Sequence, residues 1–373
     1  MRYDFIVIGA GIAGASIAYE LARGTRVCLI EGESRPGLHA TGRSAALFAP
    51  TYGGREIRAV TRASRTFFDS PPAGFSEHPL LRQRGCLYIA RADQLDRLDR
   101  MVEEIRASDG RVEMIGKGEA AARIPLLRGD YVCRAAFDSD AMDIDVDALH
   151  QGFLRGARTL GAALMTGEWI ASAHRRDGLW TIGLKSGEQV MAPVLIDAAG
   201  AWADGVAVLC GARPLGLQPL RRTALLIDVP AGVDIEDWPA VIDADEQFYF
   251  KPDAGKLLLS PADETPDRPS DARPEELDIA IGVDRVQAAL DIEVRRVSHS
   301  WAGLRTFAPD RVPVVGFDPQ VEGFFWCAGQ GGYGIQTAPG LARTAAALAL
   351  GEDVPADVAL EGLAATDLSP ERF

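Results

Sequence analysis

The chain has 373 residues, 47% hydrophobic and 25% charged, the balance of an ordinary globular protein long enough for about two domains and a sizeable core. Its net charge of -14 repels phosphate backbones and anionic membrane surfaces, which argues against nucleic-acid partners. The cysteines (Cys28, Cys86, Cys133, Cys210 and Cys327) are odd in number and lack C-x-x-C spacing, as suits a reducing cytoplasm without a disulfide framework or metal centre.

Met1 leads within a few residues into the first strand pattern, so no cleavable signal peptide is expected. Residues Phe5 to Gly14 read Phe-Ile-Val-Ile-Gly-Ala-Gly-Ile-Ala-Gly, and a second apolar run, Arg26-Val-Cys-Leu-Ile, ends at Glu31. The order is strand, glycine turn, helix, strand, acid. Gly9 permits the tight turn, Gly11 lets a pyrophosphate approach the backbone, and Gly14 lets the helix lie close to the strand. The helix start at Ile12 and Ala13 offers N–H groups and a positive dipole end to phosphates. Glu31 stands roughly 20 residues on, where it can accept ribose hydroxyls. The pattern predicts a dinucleotide-binding unit.

Further along, Gly85–Ala90 reads as a strand and Asp93–Ser108 as an amphipathic helix. Asp143–Gly161 reads as a second helix, and Leu179–Leu184 and Gln189–Ala192 as strands of a meander. Asp138, Asp140, Asp143, Asp145 and Asp147 superficially resemble a calcium loop. The sixth position is Asp143 instead of glycine, and the twelfth is Leu149 instead of glutamate. An acid-decorated helix N-terminus is the better reading. Val194–Gly200 is an apolar strand ending in a glycine turn, as in a buried parallel sheet. Thr223–Asp228, Gln247–Lys251 and Lys256–Leu259 read as strands around a polar loop, Ala262–Glu276, expected to be solvated and mobile. Gly323-Phe-Phe-Trp-Cys-Ala-Gly reads as a last strand running into a glycine-dense turn and a helix. Ala338–Leu350 is too short for the ~20 residues of a membrane span and reads as a packed helix.

Four stretches together resemble the D-amino-acid oxidase family of FAD-dependent oxidoreductases: Gly9–Gly14 with Glu31, Thr41-Gly-Arg-Ser-Ala, Asp197-Ala-Ala-Gly-Ala-Trp, and Gly329-Gln-Gly-Gly-Tyr-Gly-Ile-Gln-Thr. Within that family the similarity points toward the bacterial D-arginine dehydrogenases, through His78–Leu81, Asp147–Gly152, Arg213–Pro219, Phe248–Gly255 and Trp301–Arg305. The resemblance implies an α/β fold with α+β insertions, in which a Rossmann-like FAD-binding domain adjoins a strand-rich substrate domain, as in D-amino-acid and glycine oxidases. Residues 1–76, 144–212 and 311–373 would form the discontinuous FAD domain, and 77–143 and 213–310 the substrate domain.

The same resemblance implies roles for particular residues. Thr41, Gly42, Arg43, Ser44 and Ala45 would follow the ribityl-pyrophosphate, and Ala199, Gly200 and Trp202 would pass beside the cofactor. The backbone of Trp169 would meet the adenine, a core aromatic being the alternative. Gly331, Gly332, Tyr333, Gly334, Ile335, Gln336 and Thr337 would form a turn and helix start facing the flavin, where N–H donors stabilise its reduced form. Arg305 would clamp a substrate carboxylate through two parallel bonds. Tyr249 and Arg222 would face the substrate, Arg221 would be a solvated charge, and Tyr52 would lie on the lid side near the amine. Hydride would pass from Cα to flavin N5 without a dedicated base, and the imino acid would hydrolyse to a 2-oxo acid and ammonia.

Two positions depart from the D-arginine dehydrogenases: Cys86 replaces a glutamate that meets the guanidinium, and Leu47 replaces a histidine. Burying an arginine head without partners is costly, so a neutral or apolar D-amino acid is expected. No cysteine follows Arg305 where covalent relatives attach flavin, so the FAD should be non-covalent. Electrons would leave to oxygen or an unidentified acceptor. Alternatives are oxidation of a secondary amine such as sarcosine, oxidation of a 2-hydroxy acid, or service as a flavoprotein subunit of a larger complex.

Overall fold

The structure, a computed structural model, describes residues 1–107 and 110–373. Its fold is mixed α/β, built on two large sheets. The first has six strands in the order Val314–Phe317, Phe324–Ala328, Val194–Asp197, Phe5–Ile8, Val27–Glu31 and Ala163–Thr166. All neighbours are parallel except the edge pair Val314–Phe317 with Phe324–Ala328. The strands are apolar on both faces because both are covered. Val7, Leu29 and Ile196 pack under the helices Ile12–Leu21, Val146–Thr159 and Gly334–Ala349. Ile6, Ile30 and Leu195 face Trp180, Ile182 and the helix Ala203–Leu209. The meander is Ile170–Arg176, Leu179–Leu184 and Gln189–Ala192, antiparallel throughout.

The second sheet runs Thr265–Pro266, Gln218–Ile227, Lys256–Ser260, Tyr249–Asp253, Ala240–Asp243, Cys86–Ala90, Arg134–Asp138 and Glu113–Gly116. Val297–Phe307 adds a long antiparallel partner to Gln218–Ile227, with Arg222 opposite Gly303 and Leu220 opposite Arg305. Residues two apart share a face, so Arg222 and Arg305 are diagonal neighbours on one side. Tyr249 lies opposite Ser260 and Ile242, and Ile242 opposite Tyr88. The opposite face carries Leu225, Leu259, Phe250 and Val241 against the helix Glu276–Ala289.

Several local expectations are corrected. The Asp93 helix forms as a short 3-10 turn, Ala92–Gln94, and an α-helix, Leu95–Ala107, while its expected last residue, Ser108, lies outside the described residues. The Asp143 helix begins only at Val146, because Met142–Ile144 pairs as a strand with Leu47–Phe48 and Leu81–Gln83. Asp145 caps that helix through the Ala148 N–H at 2.9 Å. Asp143 instead pairs with Arg84 at 2.6 Å and Lys251 at 2.7 Å. The polar loop 262–276 is anchored to the protein: Arg43 donates to Ala272 O at 2.8 Å and pairs with Asp271, and Arg222 Nε donates to Asp263 O at 2.8 Å.

Arg221 is a buried hub instead of a solvated charge. It is 6% exposed and gathers Glu275 at 2.7 Å, Asp278 at 3.1 Å, Asp267 at 3.4 Å and Asp263 at 4.0 Å. Removing the cation would leave buried carboxylates facing each other, so Arg221→Met should lower stability by about 3–5 kcal/mol at neutral pH. In that variant the Asp263 carboxyl, which burial already raises above the usual aspartate value, loses a neighbouring cation and stays above its unfolded pKa. The deficit should therefore be largest above the folded pKa and shrink as pH falls toward the unfolded one. Thermal melts of the two proteins between pH 7 and 5 check this; equal melting points throughout would show that the hub contributes little.

Candidate active site

Two adjoining clefts meet between the sheets. The larger holds about 1280 Å³ of atom-free space, solvent-open space included, and its neighbour about 450 Å³. Ala40, Arg43, Gly303, Leu304, Gly331 and Gly334 line both.

The larger cleft runs over the C-terminal ends of the parallel strands, where open α/β sheets bind ligands. Gly9, Gly11, Ile12 and Ala13 line its floor. Gly14 lies behind them, where a Cβ would stand 1.7 Å from Gly9 O. The helix is thereby seated against the turn as no other residue would allow. Ile12 N–H donates to Thr41 Oγ1 at 2.9 Å, so one expected phosphate donor is already satisfied by the protein. The Glu31 carboxylate accepts from Ala10 N–H at 2.8 Å and Glu33 N–H at 2.9 Å while facing the same cleft. Both bonds hold it at the strand end with further lone pairs for ribose hydroxyls.

Trp169 is no core residue: it is 41% exposed, lines the cleft, and meets Trp202 edge-on at 6.0 Å. Ala199 and Gly200 line the same end. His39, which the sequence reading passed over, packs on Trp202 at 4.7 Å and bonds Glu33 at 3.0 Å. Gly42 is turned away, its N–H donating to Gly37 O at 2.8 Å. The Arg43 guanidinium is occupied by Leu38 O, Ala272 O, Ala302 O and Asp271. It ties the polar loop to the strand Val297–Phe307 and is not a free phosphate donor. A second helix N-terminus reaches the cleft at Gly334 and Ile335, and no side chain caps it. Two positive dipole ends, a glycine cradle that a single Cβ would fill, and an acid at ribose distance suit FAD.

Ser44, Ala45, Arg222, Tyr249, Arg305 and Gly332 line the smaller cleft. A Cβ on Gly332 would come within 2.9 Å of Arg305 Nη1, so this position admits only glycine while the guanidinium stays in place. Arg305 has no hydrogen bond or ion pair from its guanidinium to the described residues. Burial disfavours its charge, but Tyr249, Tyr52, Tyr333 and Glu264 outweigh that and raise its pKa, and a perturbed cation with open donors in a cleft is characteristic of ligand recognition. Arg222 is partnered, through Glu264 at 3.1 Å, and lies 6.0 Å from the Tyr249 ring centre. Burial would raise the Tyr249 pKa, but the Arg305 and Arg222 guanidiniums outweigh it and bring the value below that of an ordinary tyrosine.

Tyr52 stands just beyond the cleft lining, its ring 5.3 Å from Tyr333 and its hydroxyl 3.5 Å from Glu246 Oε2. Burial, then Glu246, push its pKa up, so the phenol stays protonated. Glu246 and Glu264 escaped the sequence reading because both sit in polar turns that look like ordinary solvated surface. Gln336 and Thr337 turn into the protein: Gln336 Oε1 accepts from Ala49 N–H at 3.2 Å, and Thr337 Oγ1 donates to Tyr333 O at 2.9 Å. Leu47 and Cys86 line neither cleft. Cys86 is fully buried with Ala49, Tyr88 and Ala141, against Leu47, Tyr52 and Ile242. It lies two strands beyond Tyr249, roughly 10 Å away at strand spacing.

Comparison with known proteins agrees with this geometry. An uncharacterized oxidoreductase of Bacillus subtilis, YurR, is 26% identical over 95% of this chain and 97% of its own. The crystal structure of glycine oxidase from Geobacillus kaustophilus superposes with a TM-score of 0.84 at 22% identity, covering 94% of this chain and 95% of that one. Iminodiacetate oxidase from Chelativorans sp. BNC1 gives 0.79 at 25% identity, covering 94% and 96%. Among the described residues no helix is long and apolar enough to cross a membrane. The sequence profile described as FAD dependent oxidoreductase, DAO, matches residues 4–348, and the chain belongs to that family of FAD-dependent enzymes.

Proposed function

We propose that this chain oxidises the Cα–N bond of a D-amino acid to the imino acid, which water then converts to a 2-oxo acid and ammonia. The observation that carries this is Arg305, a guanidinium without a hydrogen bond or ion pair among the described residues, facing a small cleft that opens onto the cofactor cleft. A planar guanidinium suits a carboxylate, because two parallel N–H···O bonds fix both position and orientation. Bound FAD supplies the two-electron acceptor. The protein's part is to orient the substrate, exclude water and leave the amine proton a route to solvent. Tyr249 and Arg222 stand beside the carboxylate, and Tyr52 with Glu246 closes the outer side. In this reading segments 1–76, 144–212 and 311–373 carry the cofactor, and 77–143 and 213–310 the substrate. The enzyme would act in the cytoplasm, passing electrons to oxygen or a separate acceptor.

The D configuration rests on the match of Tyr52, Arg222, Tyr249 and Arg305 to the D-arginine dehydrogenases. The side-chain preference rests on Leu47 and Cys86 standing where the D-arginine dehydrogenases carry a histidine and a glutamate; neither lines a cleft, and they act only by leaving the protein beyond Tyr249 apolar. A neutral or apolar D-amino acid should therefore give a higher kcat/KM than D-arginine. The test is anaerobic flavin bleaching and kcat/KM with D-leucine, D-methionine and D-arginine. A native preference for D-arginine would overturn the side-chain assignment and make Glu246 its partner. A secondary amine such as sarcosine is the second reading, favoured by the likeness to iminodiacetate oxidase, and faster bleaching with sarcosine would select it. With Thr306–Val312 free of cysteine, acid precipitation should release all the flavin into the supernatant; yellow pellets would contradict non-covalent binding.

A further inference from the structure

Arg222 and Arg305 line one small cleft, and they differ in what holds them. Among the described residues Arg305 has no ion pair, whereas Arg222 donates through Nη2 to Glu264 Oε1 at 3.1 Å. Glu264 also takes a bidentate pair from Arg311, at 2.8 and 3.1 Å, and Arg311 lies 3.9 Å from the Phe307 ring centre. Burial pushes the Glu264 carboxyl up, but Arg311, Arg222 and Arg305 outweigh it and hold it below the usual glutamate value. At the opposite rim Glu246 faces Tyr52, and at the cofactor end Asp271 neutralises Arg43. The cleft and its rim thus carry the guanidiniums of Arg222, Arg305 and Arg311 against the carboxylates of Glu246 and Glu264. Asp263, whose carboxylate also acts on Arg222 and Tyr249, is held from the other side by Thr223 and Arg221, which leaves a cleft-facing surplus of a single positive charge.

We propose that Glu264 is a specificity-determining residue that restricts this site to substrates with one carboxylate. One surplus charge matches one carboxylate on Arg305. A second carboxylate on the substrate would have to compete with Glu264 for Arg222, and would meet its like charge. Such repulsion is how a site rejects a chemically similar competitor. Neutralising Glu264 raises the surplus to two and frees Arg222 Nη2 for a second anion. The inference rests on the reading that Arg305 takes the substrate carboxylate.

The experiment titrates the FAD-loaded enzyme with propionate and with malonate, following the flavin absorbance change on binding. Glu264→Gln should raise the malonate-to-propionate affinity ratio on the order of fivefold, the scale of a partly solvated charge pair. Glu264→Asp should keep the native ratio, and the double variant Glu264→Gln, Arg222→Gln should lose the gain. An unchanged ratio in Glu264→Gln, or a gain that survives the loss of Arg222, overturns the inference alone. If Arg305→Ala changes the affinity of neither probe, the carboxylate reading itself is overturned, and this inference with it.

Discussion

Replacing Arg305 with alanine is expected to lower kcat/KM by about 3 kcal/mol, roughly two orders of magnitude, with little loss of thermal stability. The two halves of that expectation have one cause. Arg305 lies in the folded protein without an ion pair or a hydrogen bond from its guanidinium to the described residues. Its removal breaks no native bond and relieves repulsion with Arg222, whose pKa is lowered first by burial and then by Arg305. The phenols of Tyr249, Tyr52 and Tyr333 and the Glu264 carboxylate favour the Arg305 charge from a distance, and its hydrogen-bonding edge is left open to a bound anion. Arg305→Lys should recover part of the activity, because a point charge replaces the bidentate fork. Steady-state kinetics with the best D-amino acid, together with a melt of each variant, check both halves. A large drop in melting temperature for the alanine variant would show that Arg305 is a structural ion partner, and near-native kinetics would place the carboxylate elsewhere.

Gly14→Ala is expected to yield protein that retains little flavin and is destabilised by about 3 kcal/mol or more, at or beyond the upper end of overpacking. The added methyl would stand 1.7 Å from Gly9 O, with Ala198 Cβ a further 3.4 Å contact. Neither the turn nor the parallel strand beneath it can give way without moving the helix start that faces the cofactor cleft. Gly205→Ala is the matched control. It also lies inside a helix, Ala203–Leu209, but a Cβ there meets nothing within 4 Å. That variant should keep its flavin and gain about 0.5–1 kcal/mol from lower unfolded-chain entropy. Flavin content after gel filtration and the shift in denaturation midpoint distinguish the pair. Full flavin occupancy in Gly14→Ala would mean that the close helix–turn approach is dispensable.

The first sheet and its glycine turn were legible in the chain because their signals are local. Phe5–Ile8, the glycines after it, the helix from Ile12 and the acid at Glu31 lie within about 30 consecutive residues, the length of one βαβ unit. Backbone turn chemistry and apolar runs specify such a unit without help from the rest of the protein. The parallel strands Val194–Asp197 and Phe324–Ala328 were equally visible, because burial on both faces makes a strand apolar throughout.

The second sheet and the smaller cleft were decided by contacts distant in sequence. Nothing local to Arg221 and Arg222 says that one is the hub of an acidic loop while the other faces a cleft. Alternation along a strand sends adjacent side chains to opposite faces, and only pairing with Val297–Phe307 decides which face looks where. The helix Glu276–Ala289 and the anchoring of loop 262–276 were hidden for the same reason. That loop's acids look solvated until Arg43, Arg221 and Arg222 arrive from other segments. Glu246 and Glu264 become site residues only because two turns, far apart from Tyr52 and Arg311 in sequence, meet them in space. Residue identity and local period determined the cofactor cradle, whereas the charge balance of the neighbouring cleft exists only once the long-range pairs of the second sheet have formed.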